Sequence, residues 1–416
     1  MESDVGAIVS KPAKITALDD RVSAYGWKAL AGSVIGFSMD GFDMLILGFM
    51  LSTISADLGL TSAQAGSLVT WTMLGAVTGG LIFGSMSDHL GRIRVLTWTI
   101  LIFAAFTALC ALSRGYWDLV AYRTIAGLGL GGEFGIGMAL ATEVWPASKR
   151  ARASSYVMVG WHGGVLLAAF LIPVLLPKVG WRGMFLLGVL PAVVAFAVRR
   201  VLHEPEIFVR KHAARKQNSF SILVNDGQTI RTTIGIAILC AVQNFAYYGL
   251  MVWLPSYLSK DLGFSLTKSG LWTGVTVLGM ACGIWLCGQL SDRVGRRPVF
   301  LIFQIGALVM VFLYSRISQA SMLLWVGAIM GIFVNGLNGG IGALMSEAYP
   351  TIARATAQNT LWNIGRAIGA LGPITVGALA AKYSFQAAIA LLASVYFLDI
   401  FATLFLIPEL RGKPLD

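Results

Sequence analysis

Charge is what this chain has least of. Of its 416 residues, 31 are Lys or Arg, 20 are Asp or Glu and 4 are His, so ionised side chains make up 12%, about half the roughly 25% usual in soluble domains. A water-soluble globule is excluded. The 4 cysteines, Cys110, Cys240, Cys282 and Cys287, stand singly in apolar runs with no CxxC pair, which argues against a disulfide framework or a metal cluster and for buried thiols. No histidine-rich or acid-rich constellation puts a nucleophile beside a base, so a membrane-embedded enzyme is disfavoured. No cleavable leader opens the chain: residues 1–28 are polar and mixed in charge, and the first apolar run is too long and too internal for one.

What the chain does have is apolar length. Hydrophobic residues reach 56% and the mean hydropathy is +0.75; at about 20 residues per crossing, that supplies a polytopic bundle of roughly twelve helices. Its 48 glycines suit helices packed closely in lipid and not a β-barrel. The net charge of +11 comes from short basic clusters between apolar runs, the pattern of the positive-inside rule, and calls for no nucleic-acid partner. Runs bounded by charge, Pro or Gly place spans at 29–56, 65–86, 93–113, 118–143, 154–177, 182–202, 229–255, 267–290, 298–315, 319–346, 357–381 and 385–408. The expected division is an N-terminal segment 1–28, a six-helix bundle 29–202, a linker 203–228, a second six-helix bundle 229–408 and a tail 409–416, with both termini cytoplasmic.

A repeat supports the division. One fixed offset overlays Gly84, Asp88, Gly91 and Arg92 on Gly288, Asp292, Gly295 and Arg296, and the same offset overlays Glu143, Pro146 and Arg150 on Glu347, Pro350 and Arg354. Parallel repeats of six spans imply two bundles related by a pseudo-two-fold axis along the membrane normal, with a substrate site at mid-membrane between them.

On these motifs the chain resembles the major facilitator superfamily over essentially its whole length. The loop Gly84-Ser-Met-Ser-Asp88-His-Leu-Gly91-Arg92 and its echo Gly288 to Arg297 are similar to that superfamily's signature between spans 2 and 3 and between 8 and 9, and Arg123 to Glu133 is similar to the fourth-span motif of many proton-coupled members. Asp40-Gly-Phe-Asp43 in span 1 and Gly365-Arg366 in span 11 resemble the aromatic acid/proton symporter branch and its carboxylate-carrying relatives. The resemblance implies an all-α membrane fold of twelve helices, a monomer as working unit, a bacterial inner-membrane setting and no cofactor or metal.

Intramembrane ionisable groups are functional candidates by default, because a charge at the bilayer centre costs several kcal/mol. Asp40 and Asp43 share a helix face near the middle of span 1, where two close carboxyls suit a proton carrier or pair with a buried arginine. Glu133 is a second proton candidate, although Gly127, Gly131 and Gly135 beside it also read as a packing stripe; Arg123 on the same helix is a partner for a span-1 aspartate. Arg366 offers a planar fork to a substrate carboxylate, or a salt bridge to Asp40 or Asp43, and Asn363 lies one turn away on the same face. His162, Gln243, Asn244, Tyr247, Tyr248, Asn335 and Asn338 complete the substrate candidates, each also readable as polar or aromatic packing. Asp399 in span 12 belongs to no motif and reads as structural. Asp88, Arg92, Glu143 and Arg150 are expected to cluster at the cytoplasmic end of one bundle, and Asp292, Arg296, Glu347 and Arg354 at that of the other, as ion pairs that latch one state and release in another.

The leading expectation is proton-coupled symport of a small organic anion, an aromatic or other monocarboxylic acid, into the cell by alternating access, with protons and membrane lipid as the other partners. The alternatives are a uniporter or exchanger of sugar acids or short carboxylates and a proton-driven efflux antiporter. Efflux is disfavoured because span 5 reads Gly160-Trp-His-Gly-Gly where such antiporters commonly carry Gly-Pro. A non-transporting nutrient receptor is a more distant reading.

Overall fold

The structure, a computed structural model, describes residues 21–190, 193, 202–204, 219–254, 257–258, 262–413 and 415. Among the described residues there are helices and no strands, as a bilayer requires of a chain that must satisfy every backbone N–H and C=O internally. Helices Ala24–Leu58, Ser62–Leu90, Arg92–Leu109, Tyr116–Val144 and Arg150–Leu186 carry spans 1 to 5. The last of these breaks at Gly180, whose φ of 66° ends span 5 and starts span 6. About half of span 6 (191–192 and 194–201) and residues 205–218 of the expected linker lie outside the described residues. Helices Gly227–Met251, Leu266–Val294 and Arg296–Arg316 carry spans 7 to 9. Span 10 runs through Ala320–Gly336 and Asn338–Ala348, span 11 through Arg354–Gly369 and Leu371–Lys382, and span 12 through Phe385–Leu392 and Tyr396–Phe405. Eleven of the described helices are long and apolar enough to cross a membrane, and they fall on every expected span but the sixth.

Close packing follows the glycines. A Cβ on Gly79 would strike the backbone of Leu128, and one on Gly131 the backbone of Ala76, so spans 2 and 4 touch main chain to main chain; Gly283 against Ile332 repeats this in spans 8 and 10. The outward faces carry large apolar side chains such as Trp117, Phe170, Trp325 and Ile374. Cys282 is exposed among them, unlike the other three cysteines, because lipid is as apolar as the core and a thiol is tolerated on either side.

The two halves meet about their pseudo-two-fold axis. Thr142 and Ser346, 204 residues apart and therefore equivalent in the repeat, hydrogen-bond to each other at 2.6 Å, so the axis runs between them. Around this point the halves interlock at the end that carries the repeated loops. Asp88 accepts from the backbone N–H of Ala355 and Thr356, and Asp292 accepts from that of Ala151 and Arg152, so each loop aspartate caps a helix of the opposite half. Asn359 is wedged between Gly84 and Gly135 and accepts from the N–H of Gly135 at 2.8 Å. At the opposite face, Asp57 at the end of span 1 accepts from Arg182 at 2.5 Å and from the Trp181 indole at 3.1 Å, and these donors hold its carboxyl below the usual range.

Candidate functional site

Between the halves lies a cavity lined by Phe37, Met158, Trp161, His162, Gln243, Asn244, Tyr247, Tyr248, Asn335, Asn338, Trp362 and Arg366. Eight of these are substrate candidates from the sequence. The ninth candidate, Asn363, is turned away: its amide donates to the carbonyls of Asn359 at 2.9 Å and Gly131 at 3.3 Å, packed on Gly80. A residue one turn from Arg366 shares its face only approximately, and here the small-residue surface of span 4 offers the asparagine a carbonyl that the cavity does not.

Arg366 is the cavity's charge. It is buried at 5% exposure, its guanidinium lies 5.4 Å over the Trp161 ring, and among the described residues it forms no ion pair with a carboxylate. The expected bridge to Asp43 is therefore absent, because Asp43 is taken by another arginine. Arg123 of span 4 grips Asp43 with both terminal nitrogens, at 3.0 and 2.7 Å, and its Nε donates to Thr72 at 3.2 Å. Asp40, one turn away, is not held by that arginine; the charged groups near enough to act on it are Glu133 of span 4, Arg366 and Asp43 itself. Glu133 reaches span 1 because it packs over Gly36, where a Cβ would occupy its carboxyl position. Neither carboxyl receives an N–H or O–H from any other described residue, and two facing carboxyls can bond only through a proton held between them.

Much of the cavity lining around Arg366 is aromatic. Trp362 stacks on Phe134 with centroids 4.4 Å apart, and Phe37 lies 5.2 Å from Trp161. Tyr247 and Tyr248 meet edge to face at 5.2 Å. Phe37, Met158, Trp161 and Trp362 were not singled out in the sequence, where 22 phenylalanines and 12 tryptophans offer no means of choosing. His162 and Arg366 are equivalents under the repeat, and both line the cavity. His162 Nε2 meets the Asn335 amide across the halves at 3.1 Å, while its Nδ1 faces the Met158 carbonyl at 3.3 Å. Asn338 donates to the Asn335 side-chain oxygen at 2.5 Å.

The ion pairs at the loop-bearing end differ from expectation in one respect. Glu143 binds Arg354 at 2.7 Å as well as Arg92 at 3.2 Å, and Glu347 binds Arg296 at 2.8 Å and lies 3.8 Å from Arg150. The quartets are thus Asp88, Arg92, Glu143 with Arg354, and Asp292, Arg296, Glu347 with Arg150. Each arginine after the Glu-Pro turn has crossed to the other half, because the capped helix it begins is docked there. Two acids missed in the sequence complete the pattern. Glu204 accepts from the N–H groups of Arg92, Ile93 and Arg94, and Glu409 from those of Arg296 and Arg297, each neutralising a helix N-terminus. Gly91 and Gly295, at φ 109° and 122°, stand where a Cβ would run into these carboxylates.

Because the caps and pairs join the halves, removing them should open this end. Asp88→Asn, which loses a charged cap and its bond to Arg92 at 2.5 Å, is expected to destabilise the closed arrangement by about 1–2 kcal/mol. A cysteine placed at Ser346, fully buried here, in a chain carrying Cys282→Ser, should then react with a membrane-impermeant thiol reagent roughly tenfold faster. No change in rate would remove these residues from the gate.

Comparison with known proteins decides the family. The model of the Major Facilitator Superfamily matches residues 33–285 and 236–415. The chain belongs to that superfamily. It is 62% identical over 407 residues to a putative metabolite transport protein of Haemophilus influenzae, covering 96% of this chain and 100% of that one. It is 28% identical to the cis,cis-muconate transport protein of Acinetobacter baylyi, over 91% of this chain and 94% of the relative. Among solved structures it is similar to the proton:xylose symporter XylE bound to 6-bromo-6-deoxy-D-glucose, with a TM-score of 0.77 at 18% identity over 95% and 98% of the two chains. The superfamily fold of two helical bundles is therefore that of this chain, which is a membrane transporter and not an enzyme.

Proposed function

We propose that this transporter takes a small organic anion, an aromatic or other monocarboxylic acid, into the cell together with a proton. The observation that carries the reading is Arg366: a guanidinium buried in an aromatic cavity between the halves, without a carboxylate partner among the described residues. A buried cation that the protein does not neutralise invites an anion from outside, and the fork of arginine matches a carboxylate. The aromatic wall of Phe37, Trp161, Trp362 and Tyr247 suits a flat, apolar body behind it. A relative named for cis,cis-muconate supports a carboxylate cargo. Asp40 and Glu133, facing each other beside Arg366, are the site of the coupled proton, and the structural neighbour named as a proton symporter supports such coupling. Asp43 and Arg123 form the switch next to them. Of the remaining candidates, His162, Gln243, Asn244, Tyr248, Asn335 and Asn338 contribute polar contacts to the cargo, and Asn363 is withdrawn to helix packing.

In this reading the interlocked end is the cytoplasmic gate, closed, with both termini on that side, the protein lies in a bacterial inner membrane as a monomer, and the bundles 29–202 and 229–408 rock about the cavity. Protonation of the Asp40–Glu133 pair offsets the charge that the anion brings in, so that the loaded carrier re-orients with less charge exposed to lipid. Uptake of labelled benzoate, 4-hydroxybenzoate and muconate into proteoliposomes tests this. An inward proton gradient is expected to stimulate uptake of at least one of them by about tenfold for each pH unit of gradient at one proton per cargo. Asp40→Asn should abolish that stimulation while leaving exchange of labelled for unlabelled cargo. Equal uptake with and without the gradient in the native protein would overturn coupling and leave uniport or exchange.

A further inference from the structure

The proton site just proposed sits in the N-terminal half, but the C-terminal half also buries an acid. Asp399 of span 12 is fully enclosed and, among the described residues, forms no ion pair; Gln243 of span 7 is the side chain that donates to it, from Nε2 to Oδ2 at 2.7 Å. Span 7 brings Cys240, and the acid's own helix brings Tyr396, one turn away, whose buried hydroxyl bonds neither to Asp399 nor to any other described residue. The arginines of the neighbouring spans are occupied at the helix end, Arg297 on the carbonyls of Thr403 and Leu404 and Arg231 on that of Phe405. From span 9, Gln304 donates to Thr403 at 2.7 Å.

Two atoms of the Asp399–Gln243 contact are left over. Asp399 Oδ1 and Gln243 Oε1 are both buried and both without a donor. Two orphaned acceptors on two planar groups already joined by one hydrogen bond are satisfied together by a single hydrogen. Placed on Oδ1, it donates to Oε1 and closes the ring of a carboxylic acid and a primary amide, with N–H to O on one side and O–H to O on the other. Reversing the amide does not remove the need, since that would bring Oε1 within 2.7 Å of Oδ2, a separation two oxygens keep only with a proton between them. An ionised Asp399 would instead be a charge buried in the membrane without a cation partner among the described residues, at a cost of several kcal/mol.

We infer that Asp399 is a second proton-binding site of this protein, holding its proton at neutral pH in a closed acid–amide pair with Gln243. The pair has a consequence for the cavity, which Gln243 lines. With one Nε2 hydrogen given to Oδ2 and one lone pair of Oε1 taken by the acid, the amide is held in a single orientation, with its second N–H and one Oε1 lone pair left for a ligand. The N–H is the donor it offers to an anion at the wall shared with Arg366. The proton on Asp399 therefore fixes the orientation of a binding residue, a role separate from charge compensation by Asp40 and Glu133, and it holds whether or not uptake is proton-driven.

Infrared difference spectroscopy of the full chain in detergent at neutral pH tests the inference without any cargo. Native protein minus Asp399→Asn should show a protonated-carboxyl C=O band that shifts in heavy water, and in Gln243→Leu, which keeps the acid, that band should move to higher frequency because its carbonyl has lost a donor. Loss of a carboxylate band instead, with the protonated-carboxyl region unchanged, would mean that Asp399 is ionised and would overturn the proposal. If Asp399→Asn does not fold, an unshifted protonated-carboxyl region in Gln243→Leu overturns it equally. Gradient-independent uptake in proteoliposomes would sink symport and leave this band untouched, so the two failures are distinguishable.

Discussion

Arg366→Ala is expected to remove saturable carboxylate uptake while leaving the protein as well folded as before. Truncating one member of a buried charge pair costs about 2–5 kcal/mol of binding, so affinity for the anion should fall roughly 30- to 4,000-fold at about 1.4 kcal/mol per tenfold. Arg366→Lys keeps the charge but loses the planar fork and the stack on Trp161, which lies 5.4 Å away, and should cost about tenfold or more. The same change should not harm stability, which separates this arginine from the others in the membrane. Arg92, Arg123, Arg296 and Arg354 are each held by carboxylates, whereas Arg366 binds none among the described residues, so its removal breaks no ion pair. Arg366→Met should therefore unfold within about 2 °C of the native protein. Saturation binding of labelled carboxylates and thermal unfolding in detergent check the two halves of the prediction. Undiminished affinity would take Arg366 out of the cargo site, and a large loss of stability would make it a structural ion-pair member after all.

Much of this was legible in the sequence, and the part that was not has a common cause. Span positions follow from runs of apolar residues, and the repeat follows from matched Asp, Gly, Arg and Glu; both survive in the structure because a bilayer imposes length and a duplicated bundle imposes register. The partners of individual side chains were less accessible. In a membrane the outward face is as apolar as the core, so periodicity does not say which way a residue turns. Phe37 and Trp362 in the cavity and Phe170 toward the outside are indistinguishable by composition. A repeat also cannot say whether a motif closes within its own half or across to the other. Arg150 and Arg354 were assigned to their own halves and bind Glu347 and Glu143 across the axis, a choice made by the capping of Ala355 and Ala151 by the opposite loops. Glu204 and Glu409 were missed for the same reason, since a helix N-terminus attracts whichever carboxylate the chain brings to it. For Asp40 the deciding residue was Gly36, whose missing side chain admits Glu133.

The pair of Asp43 and Arg123 gives the second large effect, and its sign depends on which residues are changed together. Both are buried, with no exposure at the arginine side chain and 5% at the aspartate, so Arg123→Ala leaves a carboxylate in the membrane to which, among the described residues, only Thr107 still donates, at 3.4 Å. Breaking a buried pair from one side costs about 3–5 kcal/mol, which for a chain of this size should lower the unfolding midpoint by about 3–6 °C. Asp43→Asn strands the guanidinium instead and should cost a similar amount. The double variant, Asp43→Asn with Arg123→Gln, removes both charges and keeps two amides able to bond to each other, so most of the lost stability should return. Transport by that double variant is the informative measurement. If the pair only ties span 1 to span 4, the restored protein should accumulate carboxylate against a proton gradient as the native one does. If the pair is the switch that passes the proton from Asp40 and Glu133 to the rocking of the bundles, stability should return without gradient-driven uptake, because a neutral pair no longer gains or loses anything when the carboxyls one turn away change charge.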